Sequence, residues 1–367
     1  MTFKNWLRYP IDIRRARKML DARDADSTES LTSRPVVLDL QTRDFVVDGA
    51  RHLAAIAMNA NLLGSPCWLR CSDGILATIS RKTHGREMLM LRGVTHLRPS
   101  QRIPDTSLVL SDVEPGDAHA IWMRLGCDIE LDYPVMPYPM LPATIGQYPP
   151  SNLAGLRANR DRIRLLFAGN QKPSYGQGKI GRQFNICDRI EVLAAIRESF
   201  ESRIVSSLAG ADQNSIALLD SRESCIEASD WLPTLSTANF FLCCPGSSQP
   251  TCHHLVEAMS VGTIPLLEYG DRVTPQLVDG ETAITFRGAK GLVEAVERIT
   301  EMSADDIATM SQNVTRFFDH HLCQRRFLKG LRDGVIAATE QRISLPFHHE
   351  NLYASSQLAP LAARQAA

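Results

Sequence analysis

Six prolines crowded between Tyr133 and Pro150 (Pro134, Pro137, Pro139, Pro142, Pro149 and Pro150) divide this chain more firmly than any other feature of its sequence. Proline fixes φ and donates no backbone hydrogen bond, so the stretch is neither a central strand nor a helix and reads as a crossover between domains. It sets a boundary near residue 150. With 367 residues, 44% of them hydrophobic and 22% charged, there is material for two cores of ordinary size. Residues 35–150 are expected to form the first domain and 151–341 the second, with a basic segment and linker over 1–34 and a tail over 342–367, disordered from Leu358.

Both halves carry an alternating β/α pattern. In the first, Pro35–Leu40 has strand length, Gly49–Leu63 places Leu53, Ala54, Ile56, Ala57 and Leu62 on one helix face, and Pro66–Cys71 reads as the next strand. Further strands are expected at Ile75–Ser80, Met88–Leu91, Ser107–Leu110 and Asp128–Leu131. In the second half, strands are expected at Arg162–Gly169, Ser202–Leu208, Ser215–Leu219, Phe240–Cys244, Thr263–Glu268 and Thr282–Phe286. Helices are expected at Ile186–Phe200, Trp231–Ala238, Cys252–Val261 and Leu292–Met302, with two more over Ala304–Gln341. The fold class is therefore α/β: two Rossmann-like β/α/β domains facing a cleft.

A formal net charge of -1 gives no general attraction for nucleic acid. Nine cysteines at spacings such as Cys67/Cys71 and Cys243/Cys244 match neither a disulfide framework nor a zinc pattern, which points to reduced thiols and a cytoplasmic protein. No run approaches the ~20 apolar residues of a spanning helix, and no signal peptide is evident. Residues 1–20 mix Lys4, Arg8, Arg14, Arg15, Arg17 and Lys18 with Trp6, Leu7, Ile11, Ile13, Met19 and Leu20, a pattern suited to an anionic membrane surface as well as to a solvated helix.

The segment Phe240–Leu267 carries the chemistry. A buried strand ends in Pro245-Gly246, the small polar loop Ser247-Ser248-Gln249-Pro-Thr251 opens a helix bearing His253 and Glu257, and a second strand follows Gly262. Such a loop presents backbone N–H groups and the positive end of a helix dipole to a diphosphate. A carboxylate at 257 suits the two hydroxyls of a ribose. These residues, Pro245, Gly246, Glu257, Ala258, Gly262, Ile264 and Pro265, resemble the C-terminal half of exostosin-like glycosyltransferases of the GT-B class over roughly residues 160–290. The resemblance implies a nucleoside-diphosphate sugar donor, UDP-linked by preference, bound in the C-terminal domain, and a glycan or lipid-linked acceptor at the N-terminal one. Retaining members carry a second glutamate eight positions earlier; here that position is Gln249. The loop arginine of the family is also missing between Pro245 and Glu257.

After the opening strand of the second domain, Gly169 and Asn170 precede Lys172, Lys179 and Arg182. In the enzymes this resembles, the glycine admits the nucleotide and the cations hold the departing diphosphate, Arg182 first among them. With no Asp-x-Asp motif in either β/α domain, departure is expected to be cation-assisted, and no metal or cofactor beyond the donor is assigned; the pairs His320-His321 and His348-His349 lack partner ligands at metal spacing. An inverting enzyme needs a base, for which Asp48 and His52, read as a strand-to-helix loop, are the candidates. A sugar-nucleotide epimerase and a catalytically inactive binding protein of the same fold are the alternatives.

Overall fold

A computed structural model describes residues 3–22, 31, 33–116, 119–126, 133–148, 152–159, 163–176, 179–246, 250–338 and 341–346. The chain divides into two compact units: one runs to Gly146 and takes up the chain again at Gln324–Phe347, and the other comprises Gln147–Cys323.

In the first unit the elements are α1 (Phe3–Ala22), β1 (Val36–Leu40), α2 (Arg43–Leu62), β2 (Cys67–Cys71), α3 (Asp73–Arg81), α4 (Thr83–Leu89), β3 (Val94–Leu97), β4 (Leu108–Ser111), β5 (Ala120–Gly126) and α5 (Pro142–Gln147). The second unit continues with α6 (Leu153–Arg157), β6 (Ile163–Gly169), α7 (Lys179–Phe184), α8 (Arg189–Ser199), β7 (Ile204–Val205), β8 (Ile216–Asp220), α9 (Ala228–Ser236), β9 (Ala238–Leu242), α10 (His253–Ser260), β10 (Ile264–Leu267), β11 (Ile284–Thr285), α11 (Gly288–Glu301) and α12 (Ala304–Phe317). A π-helical turn at Phe318–Leu322 leads back to the first unit, which closes with α13 (Gln324–Arg332) and β12 (Arg342–Pro346).

Each unit is built on one parallel six-stranded sheet, in the orders β12-β5-β4-β1-β2-β3 and β11-β10-β9-β6-β8-β7. Strands such as Val36–Leu40 and Ile264–Leu267 are buried at every position, because helices cover both faces and leave no room for an alternating pattern. In both sheets the opening strand is central. The chain winds to one side of it and then returns to the other, so the winding reverses between β1 and β4 in one unit and between β6 and β9 in the other. These points lie at the strands' carboxyl ends, where α/β sheets take ligands.

Several expected elements change. Ile75–Ser80 belongs to α3, not to a strand: Ser72 caps the helix, Asp73 suits its first turn, and Ile75, Leu76 and Ile79 recur at helical spacing on a buried face. Met88–Leu91 covers the end of α4 and the turn after it, and of Ser202–Leu208 only Ile204–Val205 pairs as a strand. Asp128–Leu131 lies outside the described residues, as do Leu358–Ala367 and most of the expected linker.

The ends of the chain differ most from expectation. Helix α1, with Pro10 inside it, packs on α3, and Ile13, Ala16 and Leu20 join the core of the first unit. Its buried Asp12 holds Arg81 at 2.6 Å and Arg15 at 3.2 Å. Ile13, Ala16 and Leu20 are thus consumed by packing, while Arg8, Arg14, Arg17, Lys18 and Ile11 stay exposed; the side chains of Trp6 and Leu7 lie outside the described residues. Gln324–Phe347 leaves the second unit: β12, expected in the tail, pairs with β5 from Arg342↔Trp122 to Pro346↔Gly126, and Arg342 lies over the Trp122 ring at 4.8 Å. No helix among the described residues is long and apolar enough to cross a membrane.

Ile343 and Leu345 on β12 are fully buried. Ile343→Ala is therefore expected to destabilise the first unit by about 2–5 kcal/mol in urea unfolding; a change within about 0.5 kcal/mol, the scale of a surface substitution, would remove β12 from that core.

Candidate functional site

In the second unit, the reversal point is occupied by one side chain. Arg189, the first residue of α8, donates from one terminal nitrogen to the carbonyl of Asn170, after β6, at 2.9 Å. The other terminal nitrogen donates to the carbonyl of Pro245, after β9, at 3.0 Å. Its plane stacks on the Tyr175 ring at 3.9 Å, and the residue is 6% exposed. A capping box holds the helix that presents it: Asp188 accepts from Ile190 and Glu191 amides, and Glu191 accepts from the Asp188 amide. Gly169 keeps the floor thin, since a Cβ there would lie 3.1 Å from the Phe167 ring and 3.8 Å from the Arg189 guanidinium.

Among the described residues the charge on Arg189 has no carboxylate partner, and its Nε, buried, has no hydrogen-bond partner. Both facts run against the cost of burying a cation, and a cation at the first position of a helix also opposes the dipole. The Tyr269 hydroxyl is likewise buried and unpartnered, and its neighbours are Arg189 and the thiols of Cys243, Cys244 and Cys252. Burial pushes the Cys244 thiol up to about 12 and raises the Cys243 thiol well above the ordinary thiol value, so neither is a nucleophile at neutral pH.

The first unit fills the same position with the opposite charge. Asp112, following β4, accepts from the amides of Gln41 and Thr42 at 2.7 and 2.8 Å and from the Thr42 hydroxyl at 2.7 Å, all just after β1. Beside it, Asp39 receives a two-pronged bond from Arg70 at 2.8 and 2.6 Å. An internal carboxylate already occupies the amides that an anionic ligand would need there. The second unit offers a cation instead.

The helix α10 begins close to this point and carries a second cluster. Glu257 is 0% exposed, and its Oε2 accepts the Trp231 indole N–H at 2.6 Å and lies 4.0 Å from Nε2 of His253. The expected open carboxylate is a closed one. His254 stacks 4.9 Å from Trp231 and 4.2 Å from His253, measured between ring centroids. Gly262, at φ +78°, ends the helix where a Cβ would meet the Ser311 hydroxyl at 2.8 Å.

Of the residues expected at the donor site, Gly169, Asn170, Pro245 and Gly246 gather around Arg189. Asn170 also accepts the Lys172 amide at 2.9 Å. Lys172 and Arg182 are exposed and their side chains make no hydrogen bond or ion pair among the described residues; the side chain of Lys179 and the whole of Ser247, Ser248 and Gln249 lie outside them. An open hollow of about 780 Å³ lies elsewhere, against β11 and α11, and its cations are paired: Arg287 with Asp271, Lys290 with Glu294, and Arg298 with Asp279. Sequence reasoning missed Arg189 and Trp231. The available signal was an arginine at the first position of a helix whose start, Asp188-x-x-Glu191, was legible as a capping box.

The loop expected to carry the base is part of a helix. Asp48 and His52 lie within α2, not on a loop, and the side chain of Asp48 is outside the described residues. His52 is buried edge-on to Tyr138 with both ring nitrogens unpartnered. Burial, then the adjacent Arg51 charge, lowers its pKa from 6.5 to about 3, which makes it a neutral core residue and too weak a base for a hydroxyl at neutral pH.

Comparison with known proteins adds no relative: no family model matches the chain, and no curated protein matches it.

His52 gives the first unit an acid sensitivity of known sign. The unfolded chain takes up this proton near 6.5 and the folded chain only near 3, so the stability from the neutral ring is complete above pH 6.5 and drains as pH falls through that window. Urea unfolding is expected to lose up to about 1.4 kcal/mol per pH unit below 6.5 on this account, a slope that His52→Leu should reduce; an unchanged slope in the variant would assign the loss to other groups.

Proposed function

We propose that the chain is a glycosyltransferase of GT-B type that moves a sugar from a nucleoside-diphosphate donor, UDP-linked by preference, to a glycan or lipid-linked acceptor. The observation that carries this reading is the buried, uncompensated Arg189 at the reversal point of the second sheet. In glycosyl transfer the bond from the anomeric carbon to the β-phosphate oxygen breaks with its electron pair left on the diphosphate, while the acceptor oxygen gives up a proton. Charge thus accumulates on phosphate oxygens, and a guanidinium fixed in advance stabilises it without reorganising. Arg189 takes the place of the arginine missing from the loop before Glu257. It approaches from another helix.

The parallel sheets and the Pro245-Gly246 turn into α10 support the donor assignment to the second unit. For Glu257 to receive ribose hydroxyls, Trp231 has to release Oε2 on nucleotide binding. Asp39 and Asp112 lie at the carboxyl end of the first sheet, where an acceptor and its base belong in this reading. The exposed cations of α1 are the surface an anionic membrane would meet.

A thermal-shift and calorimetric screen of UDP, GDP, CMP and dTDP with their sugars tests the proposal. A single preferred nucleotide is expected, with Arg189→Gln weakening it by about 10- to 100-fold, or ~1.4–2.8 kcal/mol, and Arg189→Lys by less. Failure of every nucleotide to bind would end the reading, and conversion of a nucleotide sugar without acceptor would make the chain an epimerase.

A further inference from the structure

His253, His254 and Glu257 each turn one ligand-type atom into the same small volume, and these three atoms lie within 4.8 Å of one another. Atoms bound tetrahedrally at about 2.1 Å to one ion lie about 3.4 Å apart. Side-chain adjustments of up to about 1.4 Å therefore bring all three onto one cation. The carboxylate is fully buried and the imidazoles half-buried, which separates this cluster from the solvated acidic groups that gather on surfaces without binding anything.

We propose that these three side chains form a site for a divalent first-row transition cation, with Zn²⁺ the best match. Two imidazoles and one carboxylate suit such ions, not Mg²⁺ or Ca²⁺, and three protein ligands leave a coordination position for solvent or an oxygen ligand. The Trp231 indole, donating to Glu257 at 2.6 Å, is the outer partner that fixes a ligating carboxylate. Binding at neutral pH needs no change of oxidation state; any proton on the three ligands leaves as the ion enters. The site shares Glu257 with the sugar-nucleotide reading, but that reading rests on Arg189 and the metal site does not.

The test uses the full chain, stripped with chelator and titrated with Co²⁺ and then Zn²⁺, no nucleotide being present. One equivalent of Co²⁺ is expected to bind with visible d–d absorption and to be displaced by Zn²⁺. His254→Ala and Glu257→Gln should each lose more affinity than the about 10- to 100-fold expected of Trp231→Phe, while the double variant of His320→Asn and His321→Asn changes nothing. Circular dichroism checks each fold, and half-buried His254 is the deciding position where Glu257→Gln fails to fold. No stoichiometric Co²⁺ band in the wild type, or a band that persists in folded His254→Ala, overturns the site. Arg189→Gln should keep the metal and lose the nucleotide, so either proposal can fail alone.

Discussion

Parallel strands leave main-chain groups at their carboxyl ends with no strand to pair them, and the problem is sharpest where the winding reverses and no crossover covers the gap. The two units answer it with opposite charges. Asp112 collects the amides that follow β1, whereas Arg189 collects the carbonyls that follow β6 and β9. The choice determines what each sheet can hold. A carboxylate bonded to two amides and a hydroxyl has its negative charge met locally. A guanidinium bonded to neutral carbonyls keeps its full positive charge, directed by the Tyr175 ring and the capped start of α8.

The same constraint explains residues around Arg189 that look unrelated in the sequence. Gly169 leaves room for the Phe167 ring at the end of β6, where a Cβ would lie 3.1 Å from it. Glu268, at the end of β10, uses its two oxygens for the amides of Cys187 and Gly288, both at 2.7 Å, and so anchors the approach to α8 without forming an ion pair with Arg189. A carboxylate turned toward the guanidinium would have cancelled the charge. The buried acids near this point are instead committed to backbone amides or, for Glu257, to an indole.

The sheets were legible because parallel strands buried on both faces leave continuous apolar runs, as in Val36–Leu40 and Ile264–Leu267, and because the prolines after Tyr133 mark a change of unit. Ile75–Ser80 was not, since a short apolar run reads alike as strand or helix until its cap is weighed, and Ser72-Asp73 was the deciding pair. The return of β12 to the first sheet has no local signature: Arg342–Pro346 is five residues long, and its partner β5 is more than two hundred residues away. At the site, the strand ends were legible from Gly169 and Pro245-Gly246, but Arg189 was not, because the sequence search for a cation stayed within the loops and the guanidinium arrives from a helix. His52 was misplaced for the converse reason. Polar residues at a helix start suggest access, yet α2 begins at Arg43, two turns and a half earlier, and carries His52 into the core.

Glu257 is where the two functional arguments meet. Its carboxylate lies out of reach of solvent and accepts the Trp231 indole N–H. A buried carboxylate is stabilised by a positive neighbour, and a cation shared with His253 and His254 is one; a ribose offers hydrogen bonds and no charge. The electrostatics therefore favour a carboxylate already compensated before any nucleotide arrives, and a nucleotide that meets α10 would do so through its helix start and the open coordination position while Arg189 takes the diphosphate. In the proposed reading, Glu257 would act on the donor through that cation, with direct contact to the ribose the less favourable arrangement.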